Sequence, residues 1–91
     1  ITFDNILQLQ KRVEKDIQEL GSRAANAKKI VDSLYKRPMI NAEKVHDVAG
    51  ISMPSSYKLI SDLEKMNILK EVTGGQRGRM YVFDNYIKLF R

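Results

Sequence analysis

The residues best suited to chemistry lie in the run Thr73-Gly74-Gly75-Gln76-Arg77-Gly78-Arg79, where two guanidinium groups and one carboxamide sit among three glycines. Arginine presents a rigid fork of N–H donors that matches phosphate oxygens, and glycine lets the backbone turn and come close to a ligand. Gln76, Arg77 and Arg79 are therefore candidates to follow a phosphate backbone or to enter a minor groove. An ordinary solvated hairpin, with glycines that only make the turn, accounts for the same run. It is not a nucleotide-binding phosphate loop, because it lacks the Lys-Ser/Thr pair and no helix follows it. A second set comprises Ser52, Ser55, Tyr57, Lys58 and Ser61, with Met53 and Asp62 beside them. Hydroxyls can meet phosphates or base edges, and Lys58 adds one positive charge. The set holds no arginine, asparagine or glutamine, so it lacks the bidentate readers of guanine and adenine. Asp62 and Glu64 are expected to repel phosphate, and plain solubility explains an exposed polar face equally well.

Catalysis has little to work with. His46 is the single histidine, Ser55-Ser56 has no base beside it in sequence, and the absence of cysteine excludes disulfides and thiolate metal sites. The chain is not read as an enzyme, and no cofactor or metal is expected. Tyr81, Phe83, Tyr86 and Phe90 resemble a base-stacking set, but their alternation and helical spacing assign them to packing.

Sixteen Lys and Arg against eleven Asp and Glu give a formal charge of +5 over 91 residues. Residues 1 to 20 carry three basic and four acidic side chains, 21 to 66 carry eight and five, and 67 to 91 carry five and two. The positive excess thus lies after the first helix, a distribution that suits attraction to phosphates without proving it. No apolar run approaches the ~20 residues of a membrane span. No secretory signal is visible, so a cytoplasmic location with no membrane partner is expected. The chain opens at Ile1 without an initiator methionine, as a piece of a longer polypeptide would.

From Ile6 the apolar positions 9, 13, 17, 20, 24, 27, 31 and 34 recur every three or four residues, which predicts helix over residues 5 to 36, capped by Asp4. Gly21-Ser22 is the expected break, although the stripe keeps its phase across it and leaves one long helix or a coiled-coil seam open. Pro38 ends the helix, and Pro38-Met39-Ile40 reads as extended. Asn41 caps a short helix carrying Val45, Val48 and Ala49 inward and stopping at Gly50. A further helix follows Ser52, runs through Leu59, Ile60 and Leu63 to about Met66, and ends in a left-handed Asn67. Residues 68 to 72 and 80 to 83 read as hairpin strands, and Asp84 as the cap of a last helix.

Helix, short strand, helix, tight turn, helix and hairpin form the element order of a winged helix-turn-helix. The expected fold is therefore mainly α (α+β), a winged helix-turn-helix with an additional N-terminal helix and a C-terminal β-hairpin wing. Residues 1–21 form a connecting or dimerisation helix and 22–91 the domain. Val45, Gly50, Ile51, Leu59 and Leu63 occupy the usual slots of the helix pair. His46 departs from that pattern, standing four before the turn glycine where a small residue lets the helices approach. Either the packing differs there or the register is shifted by one. On this frame the expected partner is double-stranded DNA, met by the second helix and the wing. The stripe Ile6, Leu9, Val13 and Ile17 is the expected face for self-association or for docking on an upstream catalytic domain, with packing on its own domain as the alternative.

Four runs point further. Lys29 to Ile40, Ala49-Gly50-Ile51-Ser52-Met53-Pro54-Ser55, Asn67 to Gly74, and Arg77-Gly78-Arg79-Met80-Tyr81-Val82-Phe83 together resemble the C-terminal winged-helix domain of Fic-family proteins. The resemblance spans roughly residues 20 to 87, with Asn67 standing where that family has glycine. It implies a parent protein that transfers AMP from ATP to protein hydroxyls. The His-Pro-Phe and Gly-Asn-Gly-Arg catalytic signature is absent, so no catalytic residue carries over, and the implied role is a regulatory appendage. A stand-alone MarR-like transcription regulator is the other reading of the same patterns.

Overall fold

A computed structural model describes residues 2–75 and 77–91. The chain is mainly helical with a small three-stranded antiparallel sheet. Helix α1 spans Phe3–Gln18 and α2 Ala24–Lys36, separated by a 3₁₀ turn at Gly21–Arg23. Thr2 rather than Asp4 caps α1, its hydroxyl accepting from the Asn5 N–H at 3.2 Å. Asp4 lies in the first turn instead, where its charge opposes the positive end of the helix dipole. Gly21 adopts φ +62°, a conformation that L residues reach only with strain, and it breaks the helix there.

The stripe keeps its phase across the break because both helices give their apolar face to the same core. Val13 and Ile17 of α1 line one groove with Val31 and Tyr35 of α2. Leu9, Val13 and Ile17 are all buried within this chain.

After β1 (Met39–Ile40) come α3 (Ala42–Ala49) and α4 (Met53–Lys65). The Asn41 side chain accepts from the Lys44 N–H at 2.8 Å, and the Ser52 hydroxyl from the Ser55 N–H at 3.2 Å, so both helices begin with the expected caps. Gly50 at φ +67° closes α3, and Asn67 at φ +60° follows α4. Behind Asn67, the N–H groups of Ile68 and Leu69 both donate to the Leu63 carbonyl. These two residues finish the helix and fill the core, so strand β2 is only Lys70–Glu71, shorter than the expected run.

β3 (Tyr81–Val82) lies between β1 and β2, pairing Met39 with Val82 on one side and Lys70 with Val82 on the other. The extended segment after Pro38 is thus a third strand. The final helix α5 is Asp84–Lys88 with Phe83 at its cap position, so Asp84 does not cap it. Asp84 pairs instead with Lys88 at 2.9 Å.

Tyr35, Phe83, Tyr86 and Phe90 form a chain of ring contacts with centroids 5.1–5.6 Å apart, tying α2 to β3 and α5. Burial pushes the Tyr35 phenol from 10.0 up to about 12, with the Asp32 carboxylate adding to the effect. The fold therefore favours the neutral phenol. Its contribution to stability is complete below pH 10.0 and is lost as pH rises through about 12. An alkaline titration followed by tyrosinate absorbance is expected to show one late-ionising phenol that disappears in Tyr35→Phe. Superimposable native and variant curves would contradict this.

Candidate nucleic-acid interface

Helix α4 buries Ser56, Leu59, Ile60 and Leu63, which turns Ser55, Tyr57 and Lys58 outward. Ser52 is exposed but engaged as the cap, its hydroxyl also donating to the Ser55 hydroxyl at 3.0 Å. Ser61 is half-buried, so the structure keeps Ser55, Tyr57 and Lys58 as the open part of the five-residue set. Tyr57 is the large ring on this face, 58% exposed.

Asp62 does not belong to that face. Its carboxylate accepts from Arg23 Nε at 3.0 Å and lies 2.8 Å from a terminal guanidinium nitrogen of the same residue, with its side chain only 12% exposed. The expected repulsion of phosphate by Asp62 is thereby neutralised, and Arg23 fastens the 3₁₀ turn to α4. The two residues are 39 positions apart, so no local pattern could have paired them.

The departure at His46 also resolves. The imidazole is exposed, and its Nδ1 is bonded to the Ile51 carbonyl across the turn between α3 and α4. Because a carbonyl only accepts, Nδ1 carries the proton. Val45 and Ala49 are the residues that α3 buries, and His46 stays outside the core.

In the loop between β2 and β3, the Glu71 carboxylate gathers the Thr73 N–H, the Thr73 hydroxyl and the Gly74 N–H, the last at 2.6 Å. Thr73 Oγ in turn accepts from the Met80 N–H at 3.3 Å, and Arg79 Nε donates to the Gly75 carbonyl at 2.7 Å. Gly74 and Gly78 take φ of +70° and +61°, the turn geometry their composition announced. Gln76 lies outside the described residues.

The Thr73 hydroxyl, then the Gly74 N–H, hold the Glu71 carboxyl below its ordinary value, with the Arg79 charge contributing. A lowered carboxyl stabilises the ionised loop above the ordinary carboxylate range and loses that contribution as pH falls through the depressed value. Glu71→Gln is expected to speed amide exchange at Thr73 and Gly74 at neutral pH, as acid does in the native chain. Unchanged exchange would show that the carboxylate does not order the loop. Sequence reasoning saw Glu71 only as part of a strand. The short spacing Glu-x-Thr-Gly was the available signal.

The loop and α4 come together. Tyr57, Arg77 and Arg79 line one groove with Asn41 and Glu43 from the start of α3. None of the three ion pairs among the described residues involves Arg77 or Arg79, and both side chains are exposed. By contrast, Leu9, Val13 and Ile17 are not an open face, because they fill this chain's own core and Ile6 is half-buried. Leu9, Val13 and Ile17 thus pack on their own domain, the alternative the stripe allowed. Among the described residues, no helix is long and apolar enough to cross a membrane. No protein-family model matches the sequence, and comparisons with curated proteins and with solved structures find no match.

Proposed function

We propose that the chain is a winged helix-turn-helix domain that binds double-stranded DNA, with α4 toward the major groove and the β2–β3 loop as the wing. The observation that carries the reading is the groove in which Tyr57 of α4 meets Arg77 and Arg79 of the loop. Element order supports it, since α2, β1, α3, α4, β2 and β3 follow one another with β3 central in the sheet. Backbone attraction dominates over base reading, because the outward residues of α4 lack arginine, asparagine and glutamine. Fluorescence anisotropy with a mixed-sequence duplex tests the reading. Binding of roughly 10⁻⁴–10⁻⁶ M is expected, weakening linearly with the logarithm of salt concentration. A chain that stays unbound at low salt rejects it.

The runs that resemble Fic-family C-terminal domains support placing this DNA-binding unit beside a protein-modifying catalytic domain, where it acts as a regulatory appendage. The coding sequence upstream of Ile1 decides the point. A His-Pro-Phe motif with its Gly-Asn-Gly-Arg loop supports the placement, and an upstream sequence without them removes it.

A further inference from the structure

We propose that the groove between the β2–β3 loop and α4 binds a single unpaired nucleotide, and that guanine is the base it fits best. The inference rests on the reading that this face meets nucleic acid, and it adds what is recognised there. The groove measures about 350 Å³, within the ~300–1,000 Å³ of clefts that hold small ligands. Its wall includes Tyr57, an exposed ring outside the chain of aromatic contacts that joins Tyr35 to Phe90. An aromatic face of this kind stacks a base that has left its own stack. Arg77 and Arg79 supply charge for the phosphate attached to that base.

Glu43 decides between a nucleotide and a bare phosphate. A carboxylate lining a groove opposes a phosphate-only clamp, yet it accepts two parallel N–H groups from a base edge. The unpaired Watson–Crick edge of guanine offers such a pair at N1 and N2, with the O6 acceptor beside them. Asn41 completes the match, because its side-chain oxygen is committed to the Lys44 N–H at 2.8 Å. Its amide nitrogen is left to donate to O6. Thymine offers one N–H between two carbonyls and would set an acceptor against the carboxylate. The groove therefore carries a stacking surface, a phosphate counter-charge and a complement to all three positions of one base edge. A paired guanine hides that edge, so the nucleotide must be unpaired, as at a strand end or a junction.

Three probes of the same duplex test this by anisotropy at low salt: blunt-ended, with a guanine extension, and with a thymine extension of equal length. The guanine extension is expected to bind roughly ten-fold more tightly than the thymine one. Glu43→Gln should bring that ratio close to one. Tyr57→Ala should bring the affinities for extended duplexes down toward that for the blunt one, while Tyr57→Phe keeps the preference. Both positions are exposed, so the variants should fold, and circular dichroism verifies it. Equal affinity of the native chain for the two extensions overturns the proposal, even where blunt-duplex binding stands. Binding to the guanine extension without binding to the blunt probe upholds the groove and removes the duplex reading. Binding to none of the probes overturns both.

Discussion

Phe83→Ala is expected to lower the unfolding free energy by about 3–5 kcal/mol, the usual range for deleting a buried phenyl ring. Phe83 is 0% exposed and lies between Tyr35 at 5.3 Å and Tyr86 at 5.6 Å. Its own N–H donates to the Pro38 carbonyl at 3.0 Å, so the residue also holds the start of β1 against the end of β3. Removing the ring opens a cavity where α2, the sheet and α5 meet. Domains of this size have only ~5–15 kcal/mol in total, so the variant sits near the limit of folding. Its thermal midpoint should fall by roughly 4–8 °C for each kcal/mol lost. Phe90→Ala is the control, because Phe90 is 59% exposed and its one ring contact among the described residues is with Tyr86. Its cost is expected to be about 1 kcal/mol or less. Equal losses in chemical denaturation would show that the aromatic cluster is not the centre of the fold.

The double substitution Arg77→Ala with Arg79→Ala should have the largest effect on binding. Two charge-assisted phosphate contacts are lost, which corresponds to a fall in duplex affinity of roughly ten- to a hundred-fold at low salt. The slope of log affinity against log salt should become shallower by about 2, since each phosphate contact contributes nearly one counterion. Stability should change little, because both side chains are exposed. Arg79 also donates to the Gly75 carbonyl at 2.7 Å, so its loss loosens the loop as well as removing charge. Arg77 has no such tie among the described residues, and Arg77→Ala alone therefore isolates the charge effect. A double variant with the native salt slope would mean that DNA, if bound, is held elsewhere.

What could be read from the sequence was what is decided within one turn of chain. Asn41 and Ser52 cap their helices through bonds to the third residue on, and Gly50, which has no Cβ, and Asn67, with its short polar side chain, take the left-handed conformation. The same local reading misplaced Asp4 and Asp84, because a capping hydroxyl was available two residues earlier at Thr2 and because Phe83 already stood at the cap of α5. Strand lengths were overestimated for a tertiary reason. Ile68 and Leu69 are β-favouring by type, yet the Leu63 carbonyl takes both their N–H groups at the end of α4.

Nonlocal contacts were not legible. Arg23 meets Asp62 only once the 3₁₀ turn packs on α4, and that contact changes the charge of the candidate interface. The stripe on α1 has a period but no address, since an apolar face looks the same whether it packs at home or on a partner. The structure adds that Leu9, Val13 and Ile17 are buried in the common core. Within the interface, Arg77, Arg79 and Tyr57 were each visible by type, but the groove that joins them to Glu43 and Asn41 required three separate elements to converge.

The most direct test of the account is a titration of the isotopically labelled chain with a mixed-sequence duplex, followed by backbone and side-chain NMR shifts. Shifts are expected at Ser55, Tyr57, Lys58, Arg77 and Arg79, with the outer face of α1 unchanged. Absence of shifts at low salt, or shifts centred on α1 and α5, would contradict it.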